Sequence, residues 1–177
     1  AAFTEENAEF FFGRESEVSD LWRKITTRRL LAVIGPSGVG KTSFLRAGLL
    51  PATPEGWGTL ICQPGEAPFA ALARALAPEF EGDAEAISRL VDFEGNAPHL
   101  FSRWRDRHDR GLLIVDQFEE LFTLNPPNVQ KSFAELLGTI ARTADVHVLL
   151  SMRDDFLYRC QAFPPLRPVL DGLTALQ

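Results

Sequence analysis

The sequence predicts an α/β fold, a three-layer α/β/α sandwich with a mostly parallel central sheet. Two observations carry that expectation. Leu30–Ile34 reads as a strand buried on both faces, Leu112–Val115 as a second apolar strand and Val146–Ser151 as another, and amphipathic helical stretches separate them. Strands that alternate with helices pair in parallel, because each crossover helix must pack back onto the sheet. A chain of 177 residues is long enough for one such domain with a substantial core.

The elements follow in order. Residues 1–29 are expected to form an N-terminal segment and helix, and residues 30–177 the core. Val18, Leu21, Trp22 and Ile25 fall at i, i+3, i+4 and i+7, one apolar stripe of a helix. Leu30–Ile34 is the first strand, and Ser43–Leu50 reads as helix. Pro51–Gly58 is turn-rich, and Thr59–Gln63 is a short strand stopped by Pro64-Gly65. Pro68–Ala77 reads as a helix with its proline in the first turn. Ala84–Val91 and Pro98–Arg107 are two more helices. After the strand Leu112–Val115, the stretch Asp116–Phe122 turns away. Asn125-Pro126-Pro127-Asn128 breaks the chain before a long helix with the stripe Phe133, Leu136, Leu137 and Ile140. Val146–Ser151 is the next strand, with a helical start at Arg153. From Phe163-Pro164-Pro165 onward the pattern weakens, and a last sheet strand is at best Leu173–Leu176.

Composition excludes several function classes. A net charge of −6 and a pI near 5.1 argue against a nucleic-acid surface. Arg103, Arg105, Arg107 and Arg110 cluster, but Asp106 and Asp109 interleave with them, as on a solvated face. Cys62 and Cys160 lack metal-ligand spacing and fit a reduced, cytoplasmic setting. His99, His108 and His147 share no spacing. No apolar run approaches the roughly twenty residues that cross a bilayer, and no signal peptide is evident. The only methionine is Met152, so the chain is expected to be a piece of a longer polypeptide.

The first strand leads into Gly35-Pro36-Ser37-Gly38-Val39-Gly40-Lys41-Thr42, which fits G-x-x-x-x-G-K-[ST], with Ser43 opening the helix. Glycines let successive N–H groups curl inward as an anion nest, and the helix adds its positive N-terminal end. Lys41 offers a mobile charge to β- and γ-phosphates, and the Thr42 hydroxyl suits Mg²⁺. This is the Walker A pattern of a P-loop NTPase. Leu112-Leu113-Ile114-Val115-Asp116 supplies the matching Walker B strand, its terminal carboxylate placed to hold Mg²⁺ opposite Thr42. Glu119 and Glu120 follow, and either could activate the attacking water. Both could instead simply begin a helix, where negative charge favours the dipole.

Phe12-Gly13-Arg14-Glu15, Gly35 to Thr42, Asp116-Gln117-Phe118-Glu119-Glu120-Leu121-Phe122 and Met152-Arg153-Asp154-Asp155-Phe156 together resemble the novel STAND NTPase domains. These are signal-transduction ATPases related to NACHT and NB-ARC domains. The match runs from Phe10 to about Pro165, with Ala47-Gly48-Leu49-Leu50-Pro51 and Pro64-Gly65 with Pro68 as smaller agreements. The resemblance implies that Arg14 lies near the nucleotide and that Arg153 reads the γ-phosphate. By the NACHT arrangement it makes Glu120 the preferred catalytic residue, with Glu119 next. Most AAA+ proteins put glutamate directly after the aspartate, where this chain has Gln117. The residues alone leave other roles open: Arg14 could pair locally with Glu15 or Glu17, and Arg153 with Asp154 or Asp155.

Three function classes compete. The favoured one is an ATP- and Mg²⁺-binding switch that hydrolyses slowly, cycles between ATP and ADP, and gates oligomerisation or effector activation. Effector and sensor domains of the parent protein are its implied partners, with an oligomer only in the full-length protein. A P-loop kinase, or an interaction module stabilised by nucleotide that it never hydrolyses, are the alternatives. The paired glutamates favour hydrolysis over transfer to a second substrate. N-K-x-D and L-S-G-G-Q are both missing, which disfavours a GTPase and an ABC transporter subunit.

Overall fold

The computed structural model describes residues 14–36 and 40–176. Helix α1 (Glu15–Thr27) leads to β1 (Leu30–Gly35), and α2 begins at Lys41–Ser43 beyond the loop. Its next turns, Phe44–Leu49, are widened to π geometry, and Leu50–Ala52 closes as a 3-10 turn. Pro51 explains the ending, since it has no N–H to continue the ladder. The widened turns leave the Leu49 carbonyl to accept from the Trp22 indole at 3.0 Å, which ties α1 to α2.

Then come β2 (Trp57–Cys62), α3 (Pro68–Leu76), a 3-10 turn at Ala77–Phe80, α4 (Ala84–Arg89) and α5 (Phe93–Arg105). The strand β3 (Arg110–Val115), the short α6 (Glu120–Thr123), α7 (Pro127–Thr143) and β4 (His147–Arg153) follow. Two 3-10 stretches, Asp154–Ala162 and Pro164–Asp171, lead to β5 (Leu173–Ala175). Among the described residues the strands form one sheet in the order β2-β3-β4-β1-β5, and every pairing is parallel.

Apolar side chains alternate between the two faces of the sheet. Leu31, Val33, Leu112, Ile114 and Leu149 meet α1 and α2 through Leu21, Ile25, Phe44 and Leu45. On the other face Ala32, Leu113, Val115, Val148 and Leu150 meet α3, α5 and α7 through Leu72, Phe101, Trp104, Phe133 and Leu137. The three-layer sandwich follows from these two cores.

Some elements depart from their sequence expectations. The helix expected at Pro98–Arg107 runs over Phe93–Arg105 with Pro98 inside it. Phe93, Ala97, Leu100, Phe101 and Trp104 form its buried stripe, and their burial outweighs the hydrogen bond that Pro98 cannot donate. The second strand starts at Trp57, two residues before Thr59, after a left-handed turn at Gly56 (φ 88°). The helical start after β4 is 3-10 in character. The arginine cluster is an ion-pair network: Arg103 and Arg107 converge on Asp83, and Arg105 pairs with Asp145. Cys62 and Cys160 are free and buried, and burial pushes both thiols up to about 12. Among the described residues no helix is long and apolar enough to cross a membrane.

Candidate functional site

In a parallel sheet the carboxyl ends of all strands lie on one edge, where loops and helix N-termini gather. Register sets Gly35, the last residue of β1, beside Arg153, the last of β4. One strand further, β3 ends at Val115 and delivers Asp116, which is fully buried. A pocket of about 270 Å³ opens here, lined by Gly40, Lys41, Thr42, Ser43, Asp116, Gln117, Glu119 and Arg153. Every lining residue but Gly40 carries a charged, hydroxyl or amide group, a set that suits a phosphate chain better than an apolar ligand.

The loop ends at Gly40 in the left-handed region (φ 84°), a conformation that glycine adopts without strain. Lys41 Nζ donates to the carbonyls of Gly35 and Pro36 at 2.8 and 3.0 Å, so the ammonium is folded over its own loop. The Thr42 hydroxyl donates to Asp116 Oδ2 at 2.8 Å, and the Gln117 N–H donates to Oδ1 at 2.9 Å. Both oxygens of the buried carboxylate are thereby satisfied. Each such bond to a charged group contributes about 1.5–3 kcal/mol, and an orphaned carboxylate would cost more.

Gln117 sits at φ 51°, uncommon for a residue with a Cβ, and this turn redirects the chain. Phe118 then donates its N–H to the Ser151 carbonyl at 2.7 Å and buries its ring against Phe122 and Phe133. With Phe118 anchored in the core, the two glutamates part. Glu119 lines the pocket, and its Oε2 is buried without a hydrogen-bond partner among the described residues. Burial pushes its carboxyl above the usual range, as does the Asp116 charge. The backbone N–H groups of Glu119 and Arg153 and the Lys41 charge pull it back. Glu120 points elsewhere. Its Oε1 accepts from the Gly65 N–H at 3.2 Å, and it borders a separate opening of about 670 Å³ beyond β2 that Arg74 and Glu66 also line.

Arg153 lines the same pocket as Lys41 and Glu119, yet its guanidinium is held by Asp155 at 2.8 Å and lies over the Phe156 ring. Arg14 pairs with Glu17 at 2.8 Å at the start of α1. The structure therefore brings Gly40, Lys41, Thr42, Ser43, Asp116, Glu119 and Arg153 together and leaves Glu120 outside. Ser37, Gly38 and Val39 of the loop, and Phe12-Gly13 ahead of Arg14, fall outside the described residues. One residue escaped the sequence reading. Ser151 is fully buried on the same side of β4 as Leu149, and its hydroxyl has no partner among the described residues. A lone hydroxyl between the apolar residues Leu150 and Met152 is the signal available in the sequence.

The sheet order and this side-chain set define a P-loop NTPase fold. Solved structures share it. The Walker-type ATPase of Pyrococcus abyssi superposes with a TM-score of 0.68 at 16% identity, over 92% of this chain and 53% of that one. Cdc6p from Pyrobaculum aerophilum gives 0.55 at 15% identity, over 92% and 45%. AMPPCP-bound DnaA from Aquifex aeolicus gives 0.51 at 15% identity, over 93% and 46%. This chain thus spans about half the length of those proteins. No curated protein sequence matches it. The chain belongs to the family described as novel STAND NTPase 1, whose profile matches residues 1–177.

Proposed function

We propose that this NTPase domain binds ATP with Mg²⁺, hydrolyses it slowly, and acts as the nucleotide switch of a cytoplasmic signalling protein. The observation that carries this reading is the meeting of Lys41, Thr42, Asp116, Glu119 and Arg153 around one polar pocket at the ends of three neighbouring strands. Family membership supports the switching role, with effector and sensor domains of a longer parent as partners and assembly in the whole protein.

Geometry supports the roles of the pocket residues, and family resemblance those of the rest. Lys41 leaves the Gly35 and Pro36 carbonyls to meet phosphate oxygens, a charge-assisted contact stronger than those it gives up. By the Walker A pattern the loop from Gly35 through Gly40, with Ser43, would surround the phosphates, and by resemblance Arg14, paired with Glu17 in the structure, would turn toward the nucleotide. A Mg²⁺ ion fits the Thr42 hydroxyl and Asp116 carboxylate, hard oxygen donors that already face each other across the pocket. When bound it would neutralise charge on the phosphate oxygens. Glu119, not Glu120, is the base. Its buried, unpartnered oxygen is available to a water, and its raised affinity for protons strengthens it as an acceptor. Arg153 reads the γ-phosphate after releasing Asp155, and that local pairing is one brake on turnover.

Calorimetry with ATP and GTP, with Mg²⁺ or chelator, tests the binding. The expected result is Mg²⁺-dependent binding that prefers ATP, with phosphate release well below the enzyme median of roughly 10 s⁻¹. A preference for GTP would overturn it. The opening of about 670 Å³ beside Glu120 favours a second reading, phosphoryl transfer to an acceptor held there. Labelled γ-phosphate appearing as free phosphate supports the switch; its appearance on an added acceptor supports the kinase.

A further inference from the structure

A groove with a different chemistry runs along α7 and reaches the opposite end of the sheet, beside the start of β1. One lobe is a cavity of about 570 Å³ with Leu30, Ala141, Pro165 and Pro168 on its floor and Arg28 and Arg142 on its rim. A second lobe of about 270 Å³ lies between Lys131 and Phe163, and both lobes share Pro164 and Pro165. Gly138 packs against Pro165 between them; a Cβ there would come within 2.7 Å of the proline ring. Pro127, Lys131, Glu135, Gly138 and Arg142 are spaced four, four, three and four residues apart, along one face of α7. The two lobes therefore lie in line along one face of α7, with the Gly138–Pro165 contact as the saddle between them, and together span about 22 Å at the helical rise of 1.5 Å per residue. An extended polypeptide of about six or seven residues has that length.

The groove's charge runs against that of the whole chain. Arg28, Arg29, Lys131 and Arg142 face it against only Glu135 and Asp171, in a protein of net charge −6. Arg29 is committed to Asp145 and to His147 Nε2. Arg28 and Arg142 are exposed, and among the described residues their guanidinium groups make no hydrogen bond or ion pair. Helix ends account for part of this pattern, since α1 stops at Thr27 and α7 at Thr143, where the negative end of the dipole favours cations. They do not account for an open apolar floor directly beneath the free cations.

We propose that this groove docks an extended polypeptide segment, apolar where it meets Phe163 and Pro164 and acidic where it meets Arg28 and Arg142. Guanidinium–carboxylate contacts supply direction, and the proline-walled lobes take the apolar side chains. A nucleic acid fits less well, because its charge recurs at every nucleotide and would pass Glu135 and Asp171, whereas a peptide can confine its carboxylates to Arg28 and Arg142 and cover the apolar floor.

A random heptapeptide display library panned against the whole chain tests the proposal, with the winners measured by fluorescence anisotropy. Enriched peptides should carry acidic residues next to an apolar pair. Their Kd should rise at least about tenfold in an Arg28→Glu/Arg142→Glu variant, and with added salt. That variant should melt within a few degrees of the parent, since both side chains are exposed and each helix-end charge contributes only about 0.3–1 kcal/mol, and Lys41→Ala should leave peptide affinity unchanged. Failure to enrich any peptide, winners without acidic residues, or equal binding by the charge-reversed variant would overturn the proposal. So would a labelled single-stranded RNA that binds more tightly than the peptides and is lost in the same variant, which would give the groove to nucleic acid.

Discussion

Replacing Glu119 with glutamine separates the two candidate bases, because the amide keeps the shape of the side chain and removes its capacity to accept a proton. Glu119 Oε2 is buried at the pocket wall with no competing donor among the described residues, so the substitution removes the base without freeing another group. Loss of a positioned general base slows the chemical step by about 10²–10⁴-fold, a barrier increase of roughly 2.7–5.4 kcal/mol. ATP binding should barely change, since Lys41 and the loop are untouched. Glu120→Gln should act differently. Its amide oxygen still accepts from the Gly65 N–H, so the cost is about 1 kcal/mol of stability and less than about tenfold in rate. Single-turnover hydrolysis of ATP with Mg²⁺ reads both variants.

A second readout comes from the same residue. Burial holds the folded Glu119 carboxyl above its ordinary value of 4.5, so the native state keeps that proton longer than the unfolded chain does. Its ionisation therefore weakens the fold as pH rises through the raised value. Glu119→Gln removes that penalty, and should raise the melting temperature at pH 8 relative to the parent but not at pH 4. Unchanged single-turnover rates in Glu119→Gln, or a large loss in Glu120→Gln alone, would refute the assignment.

Other expectations rest on separate parts of the structure. Lys41→Ala should weaken ATP binding by about 2–3 kcal/mol, roughly 30- to 150-fold, through loss of a charge-assisted phosphate contact; equal affinities by calorimetry would count against the loop. His147 accepts from Arg29 at Nε2 and meets the Arg28 carbonyl at Nδ1, 2.6 Å away, which fixes a neutral tautomer with the proton on Nδ1. Burial above all holds its pKa below 6.5, so the unfolded chain binds the proton first and stability falls as pH drops below that value. His147→Gln should flatten this acid limb in urea melts taken from pH 7.5 to 5. Trp104 is fully buried and donates to Glu79 at 3.1 Å. Trp104→Ala should cost about 3–5 kcal/mol, lowering the melting temperature by roughly 6–20 °C, a shift that calorimetric scans would detect.

Much of the fold was legible because its signals are local. Leu112–Val115 is apolar at every position, and a strand covered on both faces needs nothing more to be recognised. The Phe133–Leu136–Leu137–Ile140 stripe likewise announced α7, and all four residues are buried. The stretch after Arg153 was weak for an equally physical reason. Pro164, Pro165 and Pro168 suppress regular helix, and the segment holds its 3-10 turns by burying Cys160, Leu166 and Val169 against the rest of the core.

By itself the sequence determined the alternation of strands and helices, the strand-to-helix glycine loop with Lys41 and Thr42, and the carboxylate that ends β3. Each is written in neighbouring residues. The tertiary structure alone decided which glutamate faces the pocket. Counting three or four residues on from Asp116 cannot choose between them, because the choice depends on a left-handed turn at Gln117 and on where the Phe118 ring finds core. It alone brought Thr42 to Asp116 across 74 residues of chain. It alone also gathered Arg28, Arg142 and three prolines into a groove, since residues that distant share a surface only once the sheet has set their elements side by side.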